Sequence, residues 1–449
     1  MGKYCLRVQD HAIGEEPHSV GFPETLSFVD VFAGCGGLSL GLKQAGWNGL
    51  FAIEKNANAF ETLDHNFRDG ARFGYQWPTA IERKPWDIAE LIEQKGAALQ
   101  AIAHRVDLMA GGPPCQGFSH AGRRRADDPR NRLFEDYLRL VDILQPKLVL
   151  IENVRGFKSD FGDAGSGEIK NFAATLIERL GHQYDITSKI LIASNFGVPQ
   201  IRPRFFVIGA KKSLSKNCEI ESFFADLESG TASFLTGQGL APKQSAYDAL
   251  SDLEVSRNGS MPSMESAGFD AIRYGKPRSA FQRLMHEGCG KSLSDTRLAR
   301  HRPEIRDRFE KIIKACHEDG RLNVTLSAEM RETFQIKKMA IRVMDRFQPA
   351  PTITSLPDDL LHYSEPRTLT VRENARLQSF PDWFEFKGKY TTGGLRRRYE
   401  VPRFTQVANA VPPLLAQQLG LALKGFLATS RDSGLDRSAD ADKGEPVIA

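Results

Sequence analysis

Short apolar runs alternate with amphipathic segments along the first half of the chain, and this alternation limits the folds that are open to it. The runs LSFVDVFA (residues 26–33) and GLFAIEKN (residues 49–56) are each followed by a segment with the apolar spacing of a helix. Four further runs follow at residues 106–112, 146–154, 184–194 and 203–212. Strands that alternate with helices favour a parallel, doubly wound sheet. The sequence therefore predicts an α/β fold with a Rossmann-like sheet.

The alternation starts near residue 26 and stops near residue 211, which indicates the extent of one folded unit. Residues 1–25 are polar and are expected to form an N-terminal arm. From residue 212 to about residue 368 the chain is irregular, rich in loops and basic. Between Arg273 and Lys314 there are twelve lysines and arginines against five acidic residues. Such a stretch is either a solvated helix surface or a surface that contacts phosphates.

The C-terminal part returns to regular structure. The segments TVRENARLQSFPDWF (residues 370–384) and VANAVPPLLAQQLGLALKGFL (residues 407–427) are each predicted to form a helix. Residues 429–449 are polar and rich in aspartate and serine, so we expect a disordered tail there.

Composition excludes several classes of protein. None of the six cysteines forms a C-x-x-C pair and their spacing fits no zinc site, so no metal is expected. No apolar run approaches the roughly 18 residues that a membrane span needs, and no secretory signal is visible, so we expect a soluble intracellular protein. A net charge of +4 is too small to establish nucleic-acid binding by itself.

A glycine-rich turn, FAGCGG (residues 32–37), follows the first predicted strand. Its glycines would let a ligand approach the backbone at the start of a helix. Glu54 ends the second strand, twenty positions after Gly34, the spacing at which a carboxylate reaches ribose hydroxyls in nucleotide-binding folds. The turn lacks G-K-[ST], so adenosine without phosphates fits better, with Phe32 stacked on its base. The alternative is a tight turn beside an ordinary surface glutamate.

Three polar elements belong to the later strands. Cys115, in GGPPCQGFS, is a candidate nucleophile presented by two prolines, or else a buried structural cysteine. Glu152 lies at the carboxyl end of a strand, where burial can keep a carboxyl group protonated as a donor, or else it is solvated. Arg202 and Arg204 share one face of an extended segment, where they could grip a phosphodiester or orient a carboxylate, or form a basic strand edge.

Taken in this order, the motifs resemble those of the DNA (cytosine-5)-methyltransferases of the bacterial restriction–modification type. The matching blocks are FVDVFAGCGGLSLGL, FAIEKN, GGPPCQGFS, ENV, Q-x-R-x-R, LTVRENARLQSFPDWF and QVANAVPPLL, which span about residues 26–420 apart from the middle region. The resemblance implies S-adenosylmethionine as the methyl donor and duplex DNA as the substrate. It also implies a monomeric cytoplasmic enzyme without a metal, which works alongside a restriction endonuclease that acts on the same DNA site.

The resemblance assigns a role to each matched position. Cys115 would attack carbon 6 of a flipped-out cytosine, and Glu152 would hold nitrogen 3 of the ring. Arg202 would steady the ring or Glu152, and Arg204 the surroundings of the flipped nucleotide. The donor pocket would be formed by Phe32, Gly34, Gly36, Gly37, Leu38, Glu54, Asp87, Ile88 and Asn409. DNA contacts would come from Gln116, Ser119, Arg123, Arg124 and Gln200.

The same resemblance implies two domains. The catalytic domain would comprise residues 26–211 and 404–428, with the C-terminal helix folded back onto its first part. A smaller, irregular target-recognition domain would comprise residues 212–403. The arginine-rich loop from Gln116 to about Phe134 would be a lid that closes over DNA, or else simply a basic loop.

Two other functions stay open on the sequence. One is methylation of cytosine in transfer RNA, which one branch of the same family performs; the large basic middle region favours DNA. The other is a non-catalytic DNA-binding protein on the same fold, which the intact Cys115, Glu152 and Arg202 disfavour. A nicotinamide dehydrogenase is disfavoured because the G-x-G-x-x-G fingerprint is missing.

Overall fold

A six-stranded sheet forms the centre of the computed structural model. The structure describes residues 25–113, 130–155, 161–162, 169–170, 172–215, 219–290, 292–392 and 400–440. The strands are β1 (Ser27–Val31), β2 (Asn48–Ile53), β3 (Leu108–Gly111), β4 (Leu148–Val154), β5 (Phe161–Gly162), β6 (Ile169–Lys170), β7 (Tyr184–Ile192), β8 (Gln200–Ile201), β9 (Pro203–Lys211), β10 (Ser260–Pro262), β11 (Asp270–Ile272), β12 (Arg342–Val343), β13 (Ala350–Pro351) and β14 (Leu360–Leu361). The arm expected over residues 1–25 lies outside the described residues except for its last position.

Helices lie between the strands and after them. They are α1 (Gly37–Gln44), α2 (Ala57–Phe67), α3 (Ile88–Ile102), α4 (Arg130–Leu144), α5 (Phe172–Gly181), α6 (Lys212–Ser215), α7 (Phe223–Gly237), α8 (Ala246–Leu250), α9 (Val255–Asn258), α10 (Ala280–His286), α11 (Pro303–Glu318), α12 (Ala328–Thr333), α13 (Val371–Leu377), α14 (Arg403–Asn409) and α15 (Pro413–Asp440). Within the described ranges, no helix combines the length and the apolar content that crossing a bilayer would require.

The strand order of the central sheet is β2-β1-β3-β4-β9-β7. The first four strands are parallel, and the order reverses between β1 and β3, which places a ligand crevice at their carboxyl ends. This confirms the predicted doubly wound α/β fold. β9 departs from the all-parallel expectation, because it runs antiparallel to both β4 and β7. The connection from β7 to β9 is too short for the crossover that a parallel pair needs.

The two faces of the sheet are packed by different helices. Phe28 of β1 belongs to an apolar core that includes Leu40 of α1 and Leu419 of α15. Val29 points to the opposite face, into a core that includes Leu91 of α3. Alternate residues of a strand point to opposite faces, so both cores can be built from one continuous apolar run. The run that the sequence presents at residues 26–33 is therefore buried on both sides.

The C-terminal segment folds back against α1, as the sequence analysis expects. Trp47 Nε1 donates to the carbonyl oxygen of Gly420 at 2.8 Å. The segment is not the single helix predicted over residues 407–427, because α14 ends at Asn409 and α15 begins at Pro413. Prolines 412 and 413 lack the N–H groups that a continuous helix would use. α15 then continues to Asp440, into the segment expected as a tail.

Two further segments differ in part from their predictions. The helix predicted over residues 370–384 is confirmed only as α13, because Ser379 adopts a left-handed conformation (φ 62°) and Pro381 follows.

In the basic middle region, α11 buries the apolar side chains Phe309, Ile312, Ile313 and Cys316. Its charged residues face solvent, so this part of the basic stretch is a solvated helix surface.

The contact between α1 and α15 depends on Gly41. A Cβ atom at this position would lie 2.4 Å from both Ala416 Cβ and the carbonyl oxygen of Pro413. We expect Gly41→Ala to lower the free energy of unfolding by roughly 1–3 kcal/mol, because the two helices would have to separate. The midpoint of thermal unfolding, measured on the full chain, checks this.

Gly230→Ala is the matched control. Gly230 is an exposed position of α7 where an added Cβ meets open space. Alanine is favoured over glycine in a helix by roughly 1 kcal/mol, so this variant should be as stable as wild type or more so. A Gly41→Ala protein as stable as Gly230→Ala would contradict the close packing of α1 and α15.

Candidate functional site

A cavity of about 490 Å³ opens at the carboxyl ends of β1, β2, β3 and β4. Its walls come from the loops that follow these four strands and from the segment around α14. The carboxyl ends of an open α/β sheet are the usual place for a ligand. The same cavity is lined by Phe32 and Gly34 at one end and by Glu152 and Arg204 at the other. The structure thus brings the two predicted groups of site residues together.

The glycines of the turn after β1 differ in what they face. Gly34 has φ 57° and lines the cavity, and a Cβ at this position would meet nothing within 4 Å. A Cβ at Gly36 would lie 2.5 Å from Phe67 Cε2, and one at Gly37 would lie 2.4 Å from the carbonyl oxygen of Val411. Gly34 is therefore open to a ligand, whereas Gly36 and Gly37 are needed for packing.

Glu54 fixes the shape of this turn. Its Oε2 accepts a hydrogen bond from the Gly34 N–H at 2.9 Å, and its Oε1 accepts one from the Asn56 N–H at 2.7 Å. Burial raises the pKa of Glu54, although these backbone donors oppose the shift. A carboxylate has about four acceptor positions, so Glu54 keeps capacity for a ligand hydroxyl.

Asp87 and Ile88 begin α3 at the wall of the cavity. The side chain of Asp87 caps the helix by accepting a hydrogen bond from the Ala89 N–H at 3.0 Å. Lys55 Nζ donates to the other oxygen at 2.7 Å. Burial opposes ionisation of this carboxyl, but the hydrogen bond and charge of Lys55 prevail and lower the pKa of Asp87. Asp87 is thus held as a carboxylate facing the cavity.

Leu38, Ile88 and Asn409 complete the predicted donor residues. Leu38 and Ile88 are buried apolar side chains that line the cavity. Asn409 is the last residue of α14, and its side chain is exposed along the cavity wall.

Glu152, at the carboxyl end of β4, forms an ion pair with Arg204, with Oε1 2.9 Å from the Arg204 Nε. Both side chains are largely buried, at 11% and 13% exposure. The other carboxylate oxygen lies next to Gly112, where an added Cβ would be 3.1 Å from Oε2. The neighbouring Asn153 donates from Nδ2 to the carbonyl oxygen of Pro113 at 3.0 Å. Glu152 therefore lies beside the backbone that leads towards residue 115.

Arg202 has a different partner from the one that the sequence analysis names. Its Nη2 donates to the carbonyl oxygens of Ala408 at 2.7 Å and of Ala410 at 3.1 Å. It precedes β9, whereas Arg204 lies in the ladder opposite Val154 of β4, so only Arg204 reaches Glu152. Burial lowers the pKa of Arg202, and the charge of Arg204 adds to this effect.

Gln200 is completely buried, with its amide hydrogen-bonded inside the protein. Its side chain therefore makes contacts in the interior of the protein and is not exposed for the predicted contact with DNA.

The predicted nucleophile and the remaining predicted DNA contacts lie outside the described residues. These are Cys115, Gln116, Ser119, Arg123 and Arg124.

Several cavity residues were not expected from the sequence, and Asp30 of β1 is the most unusual of them. It is 1% exposed, accepts a hydrogen bond from the Ser39 hydroxyl and lines the cavity. The Ser39 hydroxyl oxygen also lies 2.5 Å from the Tyr75 hydroxyl oxygen, so Asp30, Ser39 and Tyr75 form one buried hydrogen-bonded group. Burial raises the pKa of Asp30 to about 7. The sequence signal is a lone acidic residue within the apolar run FVDVFA.

Cys35 also lines the cavity. It is 1% exposed, and its Sγ lies 3.5 Å from the carbonyl oxygen of Gln406. Burial raises the pKa of this thiol to about 12. Because the thiolate is the nucleophilic form, Cys35 is unsuited to act as a nucleophile at neutral pH.

Comparison with known proteins gives one consistent result. Residues 26–425 match the family described as C-5 cytosine-specific DNA methylase. The chain is 32% identical over 412 residues to the Type II methyltransferase M.DdeI of Desulfomicrobium norvegicum, covering 88% of this chain and 87% of that protein. It is 31% identical over 403 residues to the Type II methyltransferase M1.HphI of Haemophilus parahaemolyticus, covering 89% and 87%.

One solved structure has a similar fold over nearly the whole chain. It is described as a DNA modification methyltransferase encoded within a prophage of Escherichia coli. The TM-score is 0.59 at 25% identity, and the match covers 90% of this chain and 100% of that structure.

Asp30 should make stability depend on pH. The folded protein keeps the Asp30 proton up to about pH 7, whereas an unfolded chain releases it near the ordinary value of 3.8. Between these limits the folded state binds more protons, so its stability falls as pH rises, by about 1.4 kcal/mol per pH unit. Asp30→Asn removes this proton.

We therefore expect the free energy of unfolding of Asp30→Asn, minus that of wild type, to increase steadily between the two pH limits and then to level off. Urea unfolding of both proteins at a series of pH values measures the difference, so that the other titrating groups cancel. A difference that stays constant with pH would show that Asp30 is ionised throughout.

Proposed function

The chain belongs to the C-5 cytosine-specific DNA methylase family, and from this membership we propose that it uses S-adenosylmethionine to methylate carbon 5 of cytosine within a specific sequence of duplex DNA. The observation that carries the proposal is the shared cavity. The open Gly34 turn and the Glu152–Arg204 pair line one space, beside the backbone that leads to Cys115. A donor and a base could therefore meet there.

The turn after β1 fits an adenosine-type donor. The cavity volume of about 490 Å³ lies within the roughly 300–1,000 Å³ usual for small-molecule sites. Glu54 would accept hydrogen bonds from the ribose hydroxyls, and Phe32 and Ile88 would provide apolar contact to the adenine base. Asp87 would accept from the adenine amino group, and Asn409 would close the pocket. When bound, S-adenosylmethionine supplies an electrophilic methyl group.

We assign the nucleophile to Cys115. Its thiolate would form a bond to carbon 6 of cytosine, while the electrons of the 5–6 double bond shift into the ring and make carbon 5 electron-rich. After methylation at carbon 5, loss of the proton from that carbon would restore the double bond as the carbon–sulfur bond breaks. The methyl group reaches carbon 5 as its bond to the donor sulfur breaks, which would leave S-adenosylhomocysteine, and the proton from carbon 5 would pass to a solvent water. The thiolate is then regenerated, so atoms and charges balance.

Glu152 and Arg204 would stabilise the base during this addition. Negative charge develops on the ring when sulfur adds, and nitrogen 3 is one of the atoms that carry it. The pairing with Arg204 uses one oxygen of Glu152 and leaves Oε2 beside Gly112. A proton carried on Oε2 would be donated to nitrogen 3 and would neutralise this charge, whereas an ionised oxygen would repel it. Arg204 would thus orient the carboxyl group of Glu152, one of the two roles that the sequence analysis offered for Arg202.

Carbon 6 is inaccessible inside a stacked duplex, so the target cytosine must be flipped out. We propose that the loop from Gln116 to about Phe134 closes over the DNA, with Gln116, Ser119, Arg123 and Arg124 in contact with it. Residues 212–403 would read the DNA sequence. The protein would then act as a monomer in the cytoplasm, as the modification component of a restriction–modification system with an endonuclease that cuts the same site.

Cys115→Ser should abolish methyl transfer, because a hydroxyl is a far weaker nucleophile than a thiolate. The measurement is incorporation of tritiated methyl groups into duplex DNA, with transfer RNA as a parallel substrate. We expect incorporation into DNA alone with the wild-type protein and none with the variant, which should still bind S-adenosylmethionine.

Cys289→Ser is the control, since this half-buried cysteine lies outside the cavity. It should methylate DNA like wild type. Full turnover by Cys115→Ser would refute the nucleophile, whereas incorporation into transfer RNA but not into duplex DNA would reassign the substrate.

Duplex DNA with 5-fluorocytosine at the target position should trap the wild-type protein. Fluorine cannot leave carbon 5 as a proton does, so the carbon–sulfur bond persists once the methyl group has been transferred. A band of higher mass in denaturing electrophoresis, dependent on S-adenosylmethionine, is the expected result. Cys115→Ser should give no such band, and its absence from wild type on the proper site would count against covalent catalysis.

A further inference from the structure

Buried side chains donate hydrogen bonds to the short connection between α14 and α15. Arg202 Nη2 donates to the carbonyl oxygens of Ala408 and Ala410, at 2.7 and 3.1 Å. Gln378 Nε2 donates to the carbonyl oxygens of Val407 and Ala410, at 2.9 and 3.1 Å. These two side chains therefore bind the carbonyl groups on both sides of Asn409.

The start of α15 is fixed from the same place. The hydroxyl oxygen of Ser379, the residue after Gln378, accepts a hydrogen bond from the Leu414 N–H at 3.0 Å. The last carbonyls of a helix and the first N–H groups of the next one lack partners within their own helices. Here the residues that follow α13 supply partners to both ends of the break.

Gln378 is in turn oriented by Gln200. Gln200 Nε2 donates to Gln378 Oε1 at 3.1 Å, and Gln200 Oε1 accepts from the Ile353 N–H at 3.2 Å. The chain of hydrogen bonds begins at a backbone donor and ends at backbone acceptors, so neither amide can be reversed without losing bonds at both ends. Both glutamines are 0% exposed, so no solvent can replace these partners.

This chain connects two regions with different proposed roles. Ile353 follows β13 in the segment proposed to recognise DNA, whereas Asn409 lies on the wall proposed to hold the methyl donor. The hydrogen bonds from Ile353 through Gln200 and Gln378 to the carbonyl oxygen of Val407 are buried, and the one from Gln378 to the carbonyl oxygen of Ala410 is partly buried. Asn409 itself is exposed to the cavity, and the carbonyls on both sides of it are fixed.

We infer that Gln378, oriented by Gln200, is a positioning residue that holds Asn409 in place at the donor pocket and ties that pocket to the segment around Ile353. The inference rests on the proposed function, since it takes the donor to be S-adenosylmethionine. It adds to the residues that line the donor pocket one residue outside it. Affinity for the donor depends on an amide that lines no part of the cavity.

Gln378→Met tests this inference on the full-length protein. The substitution keeps the length of the side chain and removes its hydrogen bonds to Val407 and Ala410. We expect the Kd for S-adenosylhomocysteine, the product left when the donor loses its methyl group, to rise by roughly tenfold, the effect of one or two lost buried hydrogen bonds. Isothermal titration calorimetry measures this without any turnover.

Gln418→Met is the matched control. Gln418 is another buried glutamine, and its Nε2 donates to the carbonyl oxygens of Phe196 at 2.9 Å and of Leu414 at 3.1 Å. The variant loses the same kind of bonds, but these bonds lead to Phe196 and Leu414 and not to the carbonyls beside Asn409. Its Kd should stay within about twofold of wild type. An equal loss of affinity in the two variants would show that Gln378 acts only through general stability, and would overturn the inference.

A double-mutant cycle with Asn409→Ala separates positioning of Asn409 from other effects. If Gln378 acts through Asn409, then adding Gln378→Met to Asn409→Ala should change the Kd by less than about twofold. If the Kd of the double variant rose by the product of the two single-variant increases, the inference would be overturned.

Gln378→Glu provides a second variant that does not depend on how well methionine packs. An ionised carboxylate would repel the carbonyls of Val407 and Ala410, whereas a protonated one can donate to them. The ratio of its Kd to that of wild type should therefore shrink as the pH is lowered from about 8 to about 6, towards protonation of the carboxyl. A ratio that does not change with pH would contradict the inference. Absence of binding to folded wild-type protein would instead refute the donor site, and with it the inference.

Discussion

The close contact of α15 and the preceding turn with α1 is the constraint on which the cavity depends. At Gly37 and Gly41 the backbones approach so closely that a single added carbon atom would lie within 2.4 Å of a carbonyl oxygen. This contact brings Asn409 to the turn after β1, although the two are far apart in sequence. The cavity thus has one wall from the first strands of the sheet and one from the segment around α14, and the helix contact holds the two walls together.

Polar groups that are buried around the cavity add a second constraint. Asp30, Arg202 and the ion pair of Glu152 with Arg204 are all removed from water, which is costly unless each group has a partner. Their partners come from different parts of the chain: Ser39 for Asp30, and the carbonyls of residues 408 and 410 for Arg202. Because each partner is supplied by a different element, the buried polar groups also fix how the elements fit together.

Under the proposed function, this arrangement would let one space serve two reactants. The end lined by Gly34, Glu54 and Asp87 has acceptors and an open backbone, which suit a neutral sugar and base. The end lined by Glu152 and Arg204 has an anchored carboxyl group, which would suit proton donation to a ring on which negative charge develops. Gly34 and Glu54 follow β1 and β2, and Glu152 and Arg204 belong to β4 and β9, so strands of one sheet position both ends.

The sequence by itself determined the α/β class and the order of the strands along the chain, and it pointed to most residues of the turn after β1 that line the cavity. These depend on local properties: apolar runs that can be buried on two faces, glycines where a turn must be tight, and polar residues at strand ends. Motif spacing also pointed to Glu152 and to the two arginines. It could not say which arginine pairs with Glu152, because that follows from the register of β9 against β4.

Only the tertiary structure decided the remaining features. β9 is antiparallel because its connection is short, Gln200 is buried because β8 pairs with β13, and Gly36 and Gly37 are needed for packing because Phe67 and Val411 lie against them. The sequence did not point to Asp30 as a cavity residue, to the contact of Gln378 with the connection between α14 and α15, or to the break between these helices. A sequence records which side chains are present and their local preferences, but the partner of a buried polar group is chosen only when distant segments pack together.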